Sequence, residues 1–392
     1  MDTGKTKTPS KPAALGDMLT MNKSIPATDL KSYIAKIPTL SPKQMFDLIE
    51  ENGYIGQVQA RKAICLMAYR HINRLRKLYL EGISRNLLPS KENYLLIGPT
   101  GSGKTFLIEL LFQKVLKIPT VIIDITSYSE TGYIGQDVPT IITRLIHAAE
   151  GDIGMASIGI VCIDEFDKIA TGHNNAIFAG QGTTKDVTGM GVQRELLKML
   201  EASAIVVPLN LTHSTYADRI TFNTGDVPFI ACGAFSGFQK VVDSQNGSMN
   251  LGFGTKTGKK AREGISVPLT REDIEKAANF ELYGIKPELI GRFSRIIPFN
   301  PLSQIDLKNI LRQNTIQKYE NELKLDGIGL EVQEEVYELI VEDCLKKETG
   351  ARGLKSLVTE YLEDACFDVY SINGCKNIKL FAEDKKIRWI TY

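Results

Sequence analysis

Gly98-Pro99-Thr100-Gly101-Ser102-Gly103-Lys104-Thr105 decides the fold. The stretch follows the apolar run Tyr94–Ile97 and opens the helical pattern Lys104–Leu116, so strand, glycine loop and helix come in direct succession. Glycines let successive backbone N–H groups turn inward, and a helix N-terminus adds positive potential where they converge. That is a cradle for phosphate. Lys104 is placed to reach β- and γ-phosphates, and the Thr105 hydroxyl is placed to ligate Mg²⁺.

Outward from this loop, three further apolar runs are bounded by turn or helix signals: Thr120–Ile125, Gly159–Ile163 and Phe229–Cys232, with Arg295–Phe299 as a fifth, weaker candidate. Unbroken apolarity, without alternation, predicts strands buried on both faces in a parallel sheet. Helical patterns at Pro139–Ala149 and Val192–Glu201 lie between them, giving the β–α alternation of an α/β layer fold. The run Ile160-Val161-Cys162-Ile163 ends in Asp164-Glu165, which puts two carboxylates at the edge where such sheets bind ligands. Asp164 is assigned to the Mg²⁺ shell, and Glu165 to polarising the attacking water. Read from residues alone, the architecture is α/β, with a parallel sheet between helices, followed by a smaller helical domain.

Composition narrows the classes. The chain has 392 residues, 43% hydrophobic and 24% charged, enough apolar material for more than one core. Lys and Arg (47) almost balance Asp and Glu (46), which weighs against a dominant nucleic-acid face. No run of about 18 apolar residues exists to span a membrane, and Met1–Met21 has no apolar segment of a secretory leader. Six cysteines without a C-x-x-C pair read as reduced thiols of a cytoplasmic protein, not as a zinc site.

The chain divides into an arm, a large domain and a small one. Residues 1–45 hold five prolines and seven lysines against three aspartates, and are expected to form a mobile arm, with a short helix at its end. Helical periodicity over Pro42–Arg76 is broken at Asn52-Gly53-Tyr54-Ile55-Gly56-Gln57. Residues 46–300 are expected to form the large domain. Two glycine-rich loops, Thr171–Gly191 and Gln245–Gly264, interrupt it. From Pro301 to Tyr392 the periodicity is helical, with a strand pair expected within Asn377–Tyr392.

Two arginines add discrimination. Pro287-Glu288-Leu289-Ile290-Gly291-Arg292-Phe293 sets one just before the last strand candidate, and Gly350-Ala351-Arg352-Gly353-Leu354 sets another at the start of an amphipathic helix. Guanidinium groups suit γ-phosphate because they stay charged and hydrogen-bond as a planar fork.

The order of phosphate loop, I-D-E-F-D-K, P-E-L-I-G-R-F and G-A-R-G-L resembles the AAA+ ATPases, in particular the ClpX branch, with HslU as a near relative. The resemblance runs from about Tyr54 to Cys366. It implies an AAA+ P-loop large domain with a small helical lid, and a homo-hexameric ring that hydrolyses ATP with Mg²⁺. Tyr54-Ile55-Gly56-Gln57 is similar to the family's adenine box. By the same likeness Arg292 is the finger lent to a neighbouring subunit, and Arg352 is the sensor of the small domain. Gly132-Tyr133-Ile134-Gly135 resembles the pore loop that grips protein substrates, and Lys185–Gly189 a second one. Leu251-Gly252-Phe253 is similar to the tripeptide that docks a ClpP-like peptidase.

The departures are also informative. Cys232-Gly233-Ala234-Phe235 offers a thiol, a poor donor, where a polar sensor is sought, so that role stays unassigned. His213–Asp218 replaces a basic entrance loop, and the family's zinc-binding module has no counterpart in the lysine-rich arm. The expected function is an ATP-driven unfoldase feeding a ClpP-like peptidase. The alternatives are a remodelling chaperone without a peptidase, and less favourably a nucleic-acid motor.

Overall fold

A strand with no polar face to offer to water must be covered on both sides, and the apolar runs pair accordingly. The computed structural model describes residues 29–129, 136–171, 187–201, 203–209, 218–245, 271–347, 349–371 and 376–392. Within it β1 (Tyr94–Ile97), β2 (Thr120–Asp124), β3 (Ile160–Asp164), β4 (Phe229–Gly233) and β5 (Arg295–Pro298) form one parallel sheet in the order β2-β3-β4-β1-β5.

Successive residues feed opposite cores. Leu95, Ile97, Val161, Ile163 and Ala231 enter one, while Tyr94, Leu96, Ile160, Cys162 and Ile230 enter the other. The second core is closed by α1 (Leu30–Lys36), α2 (Pro42–Glu51), α3 (Val58–Tyr79) and α4 (Lys104–Ile108), which continues through a wider-turned stretch to Val115. The first is closed by α5 (Thr140–Ala148) and α6 (Val187–Leu200). Local signals set some of these ends. Ser41 and Gln44 form a reciprocal capping box ahead of α2, and Pro42 occupies its first turn.

A third, separate core fills the small domain. Here α7 (Gln304–Ile310) packs on α8 (Glu334–Lys346) and α9 (Ala351–Ser371), which in turn pack against a three-stranded sheet. Two of its strands are the expected pair, Asn377–Glu383 and Lys386–Thr391. The third, Gly329–Val332, pairs parallel to the first of them and was not expected. Its four residues are too few to carry a period. A hairpin of Ala204–Pro208 with Arg219–Asn223 is likewise additional to the predicted elements.

Two expectations are corrected. The mobile arm does not extend to residue 45: α1 buries Ile34, the Tyr33 hydroxyl donates to the Lys117 carbonyl, and Arg76 donates to the Ile37 carbonyl. The short helix expected at the arm's end is α1, and Leu30, Tyr33, Ile34 and Ile37 pack it onto the core despite the lysine-rich composition. Residues 1–28 lie outside the described ones. The glycine loop expected over Thr171–Gly191 ends sooner, because α6 begins at Val187 and takes Gly189 and Gly191 into its first turns. A Cβ at Gly189 would sit 2.8 Å from the Ile169 carbonyl oxygen, so close packing explains that glycine better than chain freedom does. Among the described residues no helix is long and apolar enough to cross a membrane.

Candidate functional site

The register brings the chemistry to one edge. Ile97 stands opposite Gly233, so the loops after β1 and β4 leave the sheet side by side, and Asp164 closes β3 at the same end. Together they line a cavity of about 380 Å³ with Thr100, Gly101, Gly103, Lys104, Thr105, Phe106, Asp164 and Glu165. Asp167, Lys168, Ala234 and Ser236 complete the large-domain wall, and Ala351 and Arg352 reach in from the small domain.

The loop after β1 has the shape of an anion cradle. Gly101 (φ 75°) and Gly103 (φ 91°) are left-handed, where a side chain is strained. Ser102 is buried and its hydroxyl has no hydrogen-bond partner among the described residues. Lys104 is buried as well; its ammonium donates to the carbonyls of Gly98 (2.6 Å) and Pro99 (2.9 Å). Burial pulls its pKa below the ordinary lysine value, against the opposing pull of Cys232, Asp164 and Asp167. A cation desolvated at the mouth of a glycine cradle favours an anionic ligand. An orphaned hydroxyl, open glycines and an underfed lysine together fit a polyphosphate.

Hard oxygen ligands are adjacent. The Thr105 hydroxyl donates to the Asp164 carboxylate at 2.8 Å, so the two meet where a divalent cation could take both. Among the described residues no group of three or more His, Cys, Asp and Glu side chains gathers for a metal.

Glu165 follows with its backbone in the left-handed region (φ 55°), and its N–H donates to the Asp164 carboxylate at 2.9 Å. A non-glycine residue held there costs on the order of 1–3 kcal/mol and points to a functional constraint. The turn delivers an exposed carboxylate into the cavity beside a buried one. Asp167, the buried acid, accepts from the Ala234 N–H at 3.0 Å and so ties the end of β3 to the end of β4.

The small domain seats directly on the phosphate loop. The Ala351 N–H approaches the Gly101 carbonyl at 3.3 Å, and a Cβ at Gly101 would lie 2.7 Å from the Thr349 carbonyl oxygen. Both glycines, Gly101 and Gly350, are needed for this approach.

The remaining sequence-assigned residues sit apart from the cavity wall. Tyr54 is buried behind the loop; its hydroxyl donates to the Gly103 carbonyl at 3.1 Å and its ring stacks on Phe106. Burial pushes its phenol up, which keeps it a neutral donor. Ile55 is half-buried next to it. Gly98 abuts the Phe299 carbonyl and admits no side chain.

Arg292 stands at the opposite edge, where the strands begin, with its guanidinium on Glu201. Tyr133 and Ile134 fall outside the described residues, as do Leu251, Gly252 and Phe253. Of the second loop motif, Lys185 and Asp186 lie outside them too, and 187–189 open α6.

Sequence reading assigned no role to six cavity residues, among them three polar ones. Asp167 and Lys168 were within the quoted I-D-E-F-D-K run but had no role assigned. Ser236, two residues after Ala234, supplies a hydroxyl to the wall on which the thiol had been found wanting. Cys232 itself is buried among core residues, 3.9 Å from Cys162, and does not line the cavity. The only signal for Ser236 was its being the first polar residue after β4.

The sequence is similar to those of known proteins. The profile of the AAA domain (Cdc48 subfamily) matches residues 90–296, and that of the C-terminal, D2-small domain of ClpB protein matches residues 302–379. A protein of Treponema denticola named ATP-dependent Clp protease ATP-binding subunit ClpX is 35% identical over 349 residues, 87% of this chain and 80% of its own length. The Borrelia duttonii protein of the same name is 35% identical over 348 residues, 87% of this chain and 77% of its own length.

Proposed function

The chain belongs to the ClpX family of AAA+ ATPases, and from that premise we propose that it is an ATP-driven protein unfoldase, a homo-hexamer that passes polypeptide to a ClpP-like peptidase. Residues 46–300 would be the ATPase domain and 301–392 its lid. The setting would be the cytoplasm.

One observation carries the reading. β1 is four residues long, so at about 3.3 Å per residue its two ends stand roughly 13 Å apart. The phosphate loop leaves one end. Arg292 is fixed at the other, its carbonyl held by Asn93, the residue before β1. Arg292 therefore stands across the sheet from its own phosphate loop, which supports its use by the pocket of an adjacent copy. Hydrolysis would then depend on ring assembly.

Within one protomer the roles follow from chemistry. The N–H groups of Gly101 to Lys104 and the Lys104 ammonium would bind the phosphates, and Tyr54 and Ile55 would sit behind them toward the adenine. Thr105 and Asp164 would hold Mg²⁺. Bound there, the ion would neutralise charge on the β- and γ-phosphate oxygens. Glu165 would orient and deprotonate the attacking water. Arg352, on the lid, would report the nucleotide to the small domain through the Gly101–Gly350 contact.

Tyr133 and Ile134 would grip the substrate and Leu251–Phe253 would dock the peptidase. A bulky aromatic holds any sequence by contact, as an unfoldase requires. A folded domain is held by only about 5–15 kcal/mol, so repeated pulls driven by hydrolysis can open it. Cleavage would be left to the partner.

The test is degradation of an unstructured-tail fusion to a stable fluorescent protein, with ATP, with and without a ClpP-type peptidase. Fluorescence lost only when ATP is present, with peptide released only when the peptidase is added, is the expected result. Loss of fluorescence without release under any condition would leave an unfoldase and remove the peptidase. No loss of fluorescence at all would remove both.

A further inference from the structure

The guanidinium of Arg292 is held, and what holds it is itself unusually well fixed. Glu201 follows the last residue of α6 and meets the Arg292 Nη2 group. The end of α6 is pinned from three directions. The Met199 carbonyl accepts from the Lys91 ammonium at 3.2 Å and from the Thr224 hydroxyl at 2.9 Å, and the Leu200 carbonyl accepts from the Asn93 amide at 3.3 Å. Lys91, Asn93 and Thr224 are all buried.

The same Asn93 fixes the arginine's backbone. Its amide nitrogen donates to the Arg292 carbonyl at 3.1 Å, its amide oxygen accepts from the Phe229 N–H at 3.0 Å, and its carbonyl accepts from the Ser294 N–H at 2.8 Å. One buried side chain thus sets the distance between the carboxylate and the cation. Further along α6, Gln193 accepts from the Lys286 N–H at 2.8 Å and donates to the carbonyls of Ile169 and Gly284. The helix is therefore fastened both to the segment after the Asp164–Glu165 edge and to the segment leading to Arg292.

Helix stability does not account for Glu201. A carboxylate beside the C-terminal end of a helix has the wrong sign for the macrodipole. As an ion pair it is also weak, since both side chains are partly exposed, at 36% and 46%. A residue that breaks a local rule where the surrounding structure fixes it so firmly serves something else.

We propose that Glu201 is a positioning residue. Its carboxylate takes one edge of the Arg292 guanidinium and turns the free edge outward, toward the γ-phosphate of a neighbouring copy. This rests on the reading of Arg292 as the finger supplied in trans. A planar fork held on one side by a carboxylate keeps its other N–H groups in a fixed direction, which a free side chain would have to find at each turnover.

The experiment measures steady-state ATP hydrolysis by the full chain, with ring formation followed by size-exclusion chromatography. Glu201→Ala should lower kcat by about 10- to 100-fold, with KM within about twofold and rings unaltered. Glu201→Gln is isosteric and keeps an acceptor oxygen, so it should retain an intermediate kcat, and it serves if the alanine variant does not assemble. In an Arg292→Ala background, Glu201→Ala should cause no further loss.

Full kcat in Arg292→Ala rings would overturn the finger reading itself. Loss in Arg292→Ala with undiminished kcat in Glu201→Ala would keep the finger and overturn the role of Glu201. So would a kcat that rises in Glu201→Ala, because the contact would then restrain the arginine.

Discussion

Where the five strands end, charge is enclosed: a buried lysine and three acids line one cavity roofed by the small domain, with an orphaned hydroxyl in the loop beside it. Where the same strands begin, one half-exposed guanidinium stands outside that cavity, held from behind. The difference lies in what each edge can do alone. On the reading proposed above, the first binds the nucleotide and directs water. On the same reading the second supplies the cation that developing charge on a γ-phosphate requires, at the other end of β1 from its own loop. A site divided in this way links chemistry to neighbourhood.

The sharpest way to break that division is Arg292→Ala. If the cation works across a boundary, ATP hydrolysis by rings should fall by about 10³–10⁵-fold, while nucleotide affinity of the dilute chain stays as it was. Calorimetric titration and a coupled ATPase assay read the two separately. Parallel loss of affinity would place Arg292 in its own pocket and remove the contrast between the edges.

Glu165→Gln tests the other edge and should cost about 10²–10⁴-fold in hydrolysis with binding intact, since the amide keeps the shape and loses the base. Mixing this variant with Arg292→Ala subunits should restore part of the rate at interfaces where a normal Glu165 meets a normal Arg292. No recovery from mixed rings would argue that each subunit uses its own pair.

These edges were legible in the sequence to different degrees. The phosphate loop and Asp164-Glu165 were plain because strand, glycines and acids are contiguous, and the four apolar runs reappear as strands within a residue or so. Arg292 could be marked only by likeness, because its partners come from distant parts of the chain: Asn93 is 199 positions away and Glu201 is 91. Glu201 was read simply as the end of a helix, since nothing local distinguishes a carboxylate that faces solvent from one that faces an arginine. Asp167 hid for a related reason: its partner, the Ala234 N–H, lies just past the end of β4, 67 positions away. Local periodicity finds strands; contacts across the sheet have no period.

A smaller effect is expected where lid and loop meet. Gly101→Ala would place a methyl 2.7 Å from the Thr349 carbonyl oxygen on a backbone at φ 75°. Strain of about 1–3 kcal/mol corresponds to roughly 5- to 150-fold weaker nucleotide binding if the lid must close to bind. Ring ATPase measured at saturating nucleotide should recover most of its rate. A kcat defect with unchanged affinity would mean that the contact acts after binding.

The smallest change separates the edges most cleanly. Tyr54→Phe keeps the ring stacked on Phe106, with centroids 5.8 Å apart, and removes only the hydroxyl that donates to the Gly103 carbonyl. Such a bond is worth about 0.5–1.5 kcal/mol net, so nucleotide affinity should fall by no more than roughly tenfold. Gly103 leads into α4, whose packing lies on the face of the sheet away from α6 and Glu201. The kcat at saturation, which by this account is set by a neighbour's arginine, should therefore stay within about twofold, as expected when only uniform binding is lost. If removing one hydroxyl behind the phosphate loop depressed kcat as strongly as affinity, the two edges would be mechanically one, and the sheet between them would carry the signal that the division assigns to the ring.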